Sequence, residues 1–131
     1  MEVAQSSAVA ELKAHLARAY AEISILRRGS PADVTMLGAV AKAMRAPCSL
    51  TTHQVEDLGR ADPWLDAALT VALGDDWNAQ KIGWRLRKLA GPYVVRESVR
   101  EREGRTWWLH PILVTFAPLI VTSVVAEDRP A

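Results

Sequence analysis

Apolar residues recur every three or four positions along most of this chain, and Gly or Pro interrupts the pattern at short intervals. From Ala8 to Arg28, Val9, Leu12, Leu16, Ala19, Ile23 and Leu26 follow that spacing, which predicts an amphipathic helix ended by Gly29. Ser30-Pro31-Ala32-Asp33 then reads as an N-cap, a proline at the first helical position and an acid completing a capping-box-like pair. The helix it opens runs to about Arg45, with Val34, Leu37, Val40, Ala41 and Met44 on one face, and Ala46-Pro47 stops it. A short helix follows from a Thr51 or Thr52 cap through Leu58, closed by Gly59. Asp62-Pro63 opens a helix from Pro63 to Leu73, with Trp64, Leu65, Ala68, Leu69, Ala72 and Leu73 inward and Gly74 as its stop. Asp75 or Asp76 caps a further helical signal, Trp77 to Ala90, which Gly91-Pro92 ends.

Beyond Pro92 the period changes from helical to strand-like. Tyr93 to Arg102 is Val-rich and alternating, Glu103-Gly104 supplies a turn, and Arg105 to His110 returns, which predicts a β-hairpin. Two helices across a Gly-containing turn, followed at once by a hairpin, give an expected α+β, mainly helical fold: a winged helix-turn-helix with extra N-terminal helices and a C-terminal apolar tail. Three segments follow: residues 1–46 as a helical pair for packing or dimerisation, 47–110 as the winged helix, and 111–131 as an apolar segment with a short polar end.

Composition bounds this picture. The chain has 131 residues, 50% hydrophobic and 24% charged, enough for one domain with a sizeable core. Cys48 is the single cysteine, which excludes an internal disulfide and a Cys-based zinc site. The N-terminus carries no basic-then-apolar signal pattern, so a cytoplasmic location is expected.

Sixteen basic residues against fifteen acidic ones leave a net charge of +1, which hides an uneven distribution. Residues 46–80 set Arg60 alone against Glu56, Asp57, Asp62, Asp66, Asp75 and Asp76, a net of −5. Residues 81–105 set eight Lys and Arg against three Glu, a net of +5. An acidic block beside a basic one points to an anionic partner for the second.

Wound as a helix at about 100° per residue, residues 77–90 gather Ala79, Ile82, Gly83, Leu86, Leu89 and Ala90 on a core side. The opposite side collects Trp77, Lys81, Trp84 and Lys88, with Arg85 and Arg87 on its flanks and Gln80 beside Trp84. Arg and Lys reach phosphates or guanine edges, and Asn or Gln pairs with adenine, so this face has the chemistry of a major-groove reader. Asn78 and Gln80 lie near the N-terminal end, where recognition helices meet bases. In the hairpin, strand alternation puts Arg96, Ser98, Arg100 and Arg102 on one side and Val95 and Val99 on the other, which suits a wing along a phosphate backbone. The candidate contacts are therefore Asn78, Gln80, Lys81, Trp84, Arg85 and Lys88, with Arg96, Arg100 and Arg102. With Lys81, Arg85 and Lys88 off the core side, replacing all three is expected to leave the fold intact. The plainer alternative is that the basic face and the Arg/Glu-rich hairpin are solvated surface, with Trp84 packed against the N-terminal helix.

The stretch Asp75-Asp76-Trp77-Asn78-Ala79-Gln80-Lys81-Ile82-Gly83-Trp84-Arg85-Leu86-Arg87-Lys88-Leu89-Ala90-Gly91, followed by Val94-Val95-Arg96 and Gly104-Arg105-Thr106-Trp107-Trp108-Leu109, resembles winged-helix modules at the C-termini of phage- and plasmid-type primase-helicase proteins. In that family a helix of the form W-x-A-x-x-[IL]-G-x-x-L-[RK]-x-L precedes a basic hairpin closing on Gly-Arg-x-Trp. The resemblance covers about residues 62–110, and its motif is of moderate specificity. It implies nucleic-acid binding at an origin or on a template, in a replication, transcription-regulation or mobile-element setting. The phosphate-binding Gly-x-x-x-x-Gly-Lys-Ser/Thr loop of such proteins is missing, so what is implied is the detached binding module.

Other signals carry less. Leu12, Leu16, Ala19, Ile23 and Leu26 form a heptad seam under three heptads long, open to a dimer coil but expected to pack on its own domain. His53 with Glu56 or Asp57 has the spacing of two metal ligands without a third, and no metal or cofactor is expected. Cys48 has no adjacent His or cation in sequence to activate it, and no catalytic triad or carboxylate pair emerges, so no enzymatic activity is expected. From Thr106 to Ala126 the chain is uncharged. Pro111, Pro118 and His110 interrupt that window, and its apolar run of about fourteen residues fits a docked core segment or a partner surface better than a membrane span of ~20. The expectation is thus a non-catalytic binder of duplex DNA, with a homodimer through the N-terminal helix or the apolar tail left open. The rival is a protein-interaction module, a phage- or plasmid-encoded factor binding a host protein, and a C-terminal membrane anchor stands third.

Overall fold

A computed structural model describes residues 2–101 and 104–118. Among the described residues, five α-helices are formed by Glu2–Leu26 (α1), Pro31–Met44 (α2), Thr52–Ala61 (α3), Pro63–Leu73 (α4) and Ala79–Leu89 (α5). Three strands, Cys48–Leu50 (β1), Val94–Glu101 (β2) and Gly104–Leu109 (β3), form one antiparallel sheet in the order β1-β3-β2, and a 3-10 helix spans Pro111–Phe116. The protein is mainly helical α+β.

Local chemistry sets most boundaries where the sequence places them. At α2, the Asp33 carboxylate accepts from the Ser30 backbone N–H at 2.9 Å and from the Ser30 hydroxyl at 3.3 Å, with Pro31 at the first turn. At α3 the capping box is reciprocal: Thr51 Oγ1 accepts from Gln54 N, and Gln54 Oε1 accepts from Thr51 N. At α4, Asp62 Oδ1 accepts from the N–H groups of Trp64 and Leu65, and Gly74 ends the helix with φ at +102°, a conformation that favours glycine.

Other boundaries differ from expectation. Gly59 does not close α3, which runs on to Ala61. Its missing side chain is needed for packing instead, because a Cβ there would lie 2.8 Å from Trp77 Cη2 and 2.9 Å from Leu69 Cδ1. Trp64, expected inward, is exposed, because Leu65, Ala68 and Leu69 alone define the buried side of α4. The strand β1 carries no periodic signal in its three residues and exists through pairing, with Cys48, Ser49 and Leu50 opposite Leu109, Trp108 and Trp107.

The hairpin forms as expected, with an irregularity in its register. Val94, Val95 and Arg96 pair with Leu109, Trp108 and Trp107; then the register shifts, and Arg100 and Glu101 pair with Arg105 and Gly104. Four steps along β2 match two along β3, so β2 carries two more residues than β3 between these paired stretches.

One core takes side chains from all three segments drawn from the sequence. Ala21 and Ile25 of α1, Leu37 and Val40 of α2, Leu50, Val55, Leu65 and Leu69 join Ile82, Leu86 and Leu89 of α5, then Val94, Trp107, Leu109, Leu113 and Phe116. Each large aliphatic side chain so buried contributes about 1.5–3 kcal/mol. The 3-10 helix, whose first turn is closed by His110 Nδ1 accepting from Ile112 N at 3.0 Å, lies against α2. Gly38 permits that approach, since a Cβ there would stand 2.3 Å from the Phe116 carbonyl carbon. Among the described residues no helix is long and apolar enough to cross a membrane. The remainder of the expected apolar tail, from residue 119, lies outside the described residues.

Candidate nucleic-acid interface

The helix α5 starts two residues later than its periodicity indicates. Asn78, not Asp75 or Asp76, is the N-cap: its Oδ1 accepts from Lys81 N at 2.9 Å. A second orphan donor, Ala79 N, is satisfied by Glu56 Oε2 of α3 at 2.8 Å. Trp77 precedes the cap and is buried, so it does not belong to the exposed side on which a continuous helical wheel puts it. Its ring packs over Gly59, its Nε1 donates to Asp66 Oδ1 at 2.8 Å, and the Arg60 guanidinium lies 5.0 Å from its centroid.

The basic residues of α5 separate into two groups. Arg85 is turned inward and is half-buried: its guanidinium pairs with Asp33, whose side chain is only 1% exposed, and donates to the Ala72 carbonyl at 3.2 Å. Arg85 thereby ties α5 to α2 and α4, which overturns the expectation that replacing it leaves the fold intact. Lys81 Nζ lies 2.6 Å from Asp76 Oδ2. That hydrogen bond, together with the backbone hydrogen bond of Asp76 and the lysine's charge, holds the Asp76 carboxyl below its ordinary pKa.

The remaining polar residues form one stripe. Gln80, Trp84, Arg87 and Lys88 are all exposed, and their i, i+4, i+7, i+8 spacing puts them together, opposite the buried Ala79, Ile82, Leu86 and Leu89. Arg87, which sequence reasoning left on a flank, belongs to this stripe. Its angular position beside Gln80 and Trp84 was the available signal. The two ends of α5 differ in charge: Glu56, Asp75 and Asp76 cluster at the N-terminus, whereas Arg87 and Lys88 occupy the last turn. Arg28, in the turn after α1, adds a cation at that basic end, with its Cζ 3.1 Å from where a Cβ of Gly91 would stand.

On the hairpin, Arg96 is exposed at the rim of the sheet, its guanidinium 5.9 Å from the centroid of the buried Trp107 ring. It lies on the side of β2 shared with Val94, and Val95 opposite Trp108 occupies the other. The backbone of Arg100 pairs within the hairpin, and Arg102 lies outside the described residues. Burial of the Cys48 thiol pushes its pKa up, which keeps it protonated near neutrality.

No family model, no curated protein and no solved structure matches this chain.

Proposed function

We propose that this chain is a non-catalytic nucleic-acid-binding protein that meets duplex DNA with the outward stripe of α5. The observation that carries the reading is the set Gln80, Trp84, Arg87 and Lys88, aligned and exposed on the side of α5 opposite the core. Arg87 and Lys88 engage phosphates, while Gln80 and Trp84 face the bases or sugars. The acidic N-terminal end of α5 must point away from the phosphate backbone, so contact is made through the middle and C-terminal turns. Asn78, spent on capping, Lys81, paired with Asp76, and Arg85, paired with Asp33, take supporting positions rather than direct ones.

The finer fold reading is a winged helix. A strand just ahead of α3, a hairpin straight after α5 and the order β1-β3-β2 support it, as does the resemblance to primase-helicase modules. The insertion of α4 modifies it: α5 packs mainly on α3, not on α4 as the expected helix-turn-helix pair required. In this reading α3 and α5 are the pair, and Arg96 on the wing reaches a flanking phosphate.

The test is fluorescence anisotropy with a labelled random duplex at low salt. The wild type should bind, and affinity should fall steeply with added salt. Replacing Arg87 and Lys88 with Ala should weaken binding about tenfold and lower the log–log salt slope by about 1.8, as expected for two lost phosphate contacts. Absence of binding by the wild type sinks the proposal. Binding to single strands alone moves the role of Trp84 to base stacking.

One observation favours the protein-interaction alternative. Trp64 and Val71 on the outward side of α4 are 59% and 74% exposed, and they line a groove with Pro31, Ala32, Ala67 and Pro118. A partner retained through nuclease and high salt, and lost on Trp64→Ala, would favour that alternative.

A further inference from the structure

Among the described residues, the helix α1 meets the rest of the molecule with only one side of its C-terminal half. Ala21 and Ile25 are buried, and the Arg18 guanidinium lies 4.9 Å from the Phe116 ring centroid. From Ser7 to Tyr20 every residue is exposed. Val9, Leu12, Leu16, Ile23 and Leu26, between 38% and 61% exposed, lie on the side of the helix opposite Ala21 and Ile25. Among the described residues, therefore, no part of its own domain covers the seam, contrary to the simplest reading of the sequence.

We infer that two copies of this chain pair their α1 helices in parallel through this stripe. Its spacing alternates three and four from Val9 to Leu26, which makes Val9, Leu16 and Ile23 the a positions and Leu12, Ala19 and Leu26 the d positions of a heptad. β-Branched residues at two of three a positions and leucine at two of three d positions are the pattern that selects two parallel strands. Charge agrees with that orientation. Glu22 falls at g, and Arg27, just past the end of α1 with its N–H still bonded to the Ile23 carbonyl, takes the following e position, so a parallel pair brings Glu22 of each copy beside Arg27 of the other, twice by symmetry. The antiparallel register separates them.

Within one copy, and among the described residues, Glu22 has only the exposed Arg18 beside it at 3.6 Å, a weak contact that leaves the carboxylate available. Geometry also permits pairing, because each body hangs from the far side of its helix and stays clear of the seam. The seam spans about 27 Å of helix. Its C-terminal end is held by the core, so dimerisation need not meet the cost of nucleating the helix.

Sedimentation velocity of the full chain from about 2 to 200 μM tests this, because a weak dimer is set by mass action. The wild type should move from 14.4 kDa toward twice that mass as concentration rises. The double variant L16D/I23D should remain monomeric throughout, with the melting curve of the dilute protein unchanged because both side chains are exposed in the monomer. In a Cys48→Ser background, V9C should form an interchain disulfide under mild oxidation, since the two Val9 positions face each other only in the parallel register. A wild type monomeric at the highest concentration, a trimer or larger assembly, or a dimer in which V9C fails to cross-link would each overturn the inference.

Discussion

The helices α1 and α5 look alike in sequence, each with an apolar side and a polar one, yet they are used in opposite ways. In α5 the apolar side lies in the core and the polar stripe faces out. In α1 the longer apolar stripe faces out, and two smaller contacts on the other side, Ala21 and Ile25, hold the helix to the body. Periodicity states that a face is to be covered, not by what. Charge divides similarly within α5, where Arg85 is a structural tie and Lys88, one turn away, is surface.

The strongest test of that division is Arg85→Ala. It would leave the buried Asp33 carboxylate without its cation, and breaking such a pair costs about 3–5 kcal/mol. Equilibrium urea unfolding should show that loss, whereas Arg87→Ala should fall within about 0.5 kcal/mol of the wild type, as exposed substitutions do. Equal effects of the two would erase the distinction between inner and outer cations. Arg85→Lys should recover only part of the loss, because a lysine lacks the planar fork that serves Asp33 and the Ala72 carbonyl together.

Next in size is a contrast inside α1. Ile25→Ala removes a fully buried side chain and should cost about 2–4 kcal/mol. Ile23→Ala, two residues away, should change the stability of the dilute monomer by less than about 0.5 kcal/mol. At high concentration Ile23→Ala should lower the melting temperature relative to wild type, because it then removes an a-position contact.

How far the sequence carried these conclusions depended on the range of the signal. The elements α2 and α4 were legible to within a residue because Ser30, Pro31, Asp62, Pro63 and Gly74 act on their own neighbours. The hairpin was legible for the same reason. What was not legible depends on partners far along the chain. The inward turn of Arg85 needs Asp33, 52 positions earlier. The interior position of Trp77 needs Gly59 and Asp66, and β1 needs β3. On the candidate surface, Gln80, Trp84 and Lys88 emerged directly from the wheel. Lys81 and Asn78 fell on or near the same side, but each carries a local bond that a wheel does not represent.

The smallest expected effect concerns the N-terminal end of α5, where Asp76 and Lys81 pair in the open. Because the folded state holds the Asp76 carboxyl below its ordinary value of about 3.9, the ion binds fewer protons when folded than when unfolded at mildly acidic pH. Its contribution to stability is therefore present above that ordinary value and is lost as pH falls through the lowered one. Lys81→Ala removes the main cause of the depression, so carboxyl-detected NMR should show the Asp76 midpoint rising toward the ordinary range while the unfolding midpoint at pH 7 barely moves. The same substitution tests the comparison of cations at its finest point. Lys81 is already neutralised by its neighbour, so its removal should weaken duplex binding far less than removal of Lys88. Equal losses would return Lys81 to the contact surface and extend the basic stripe onto the acidic end of the helix.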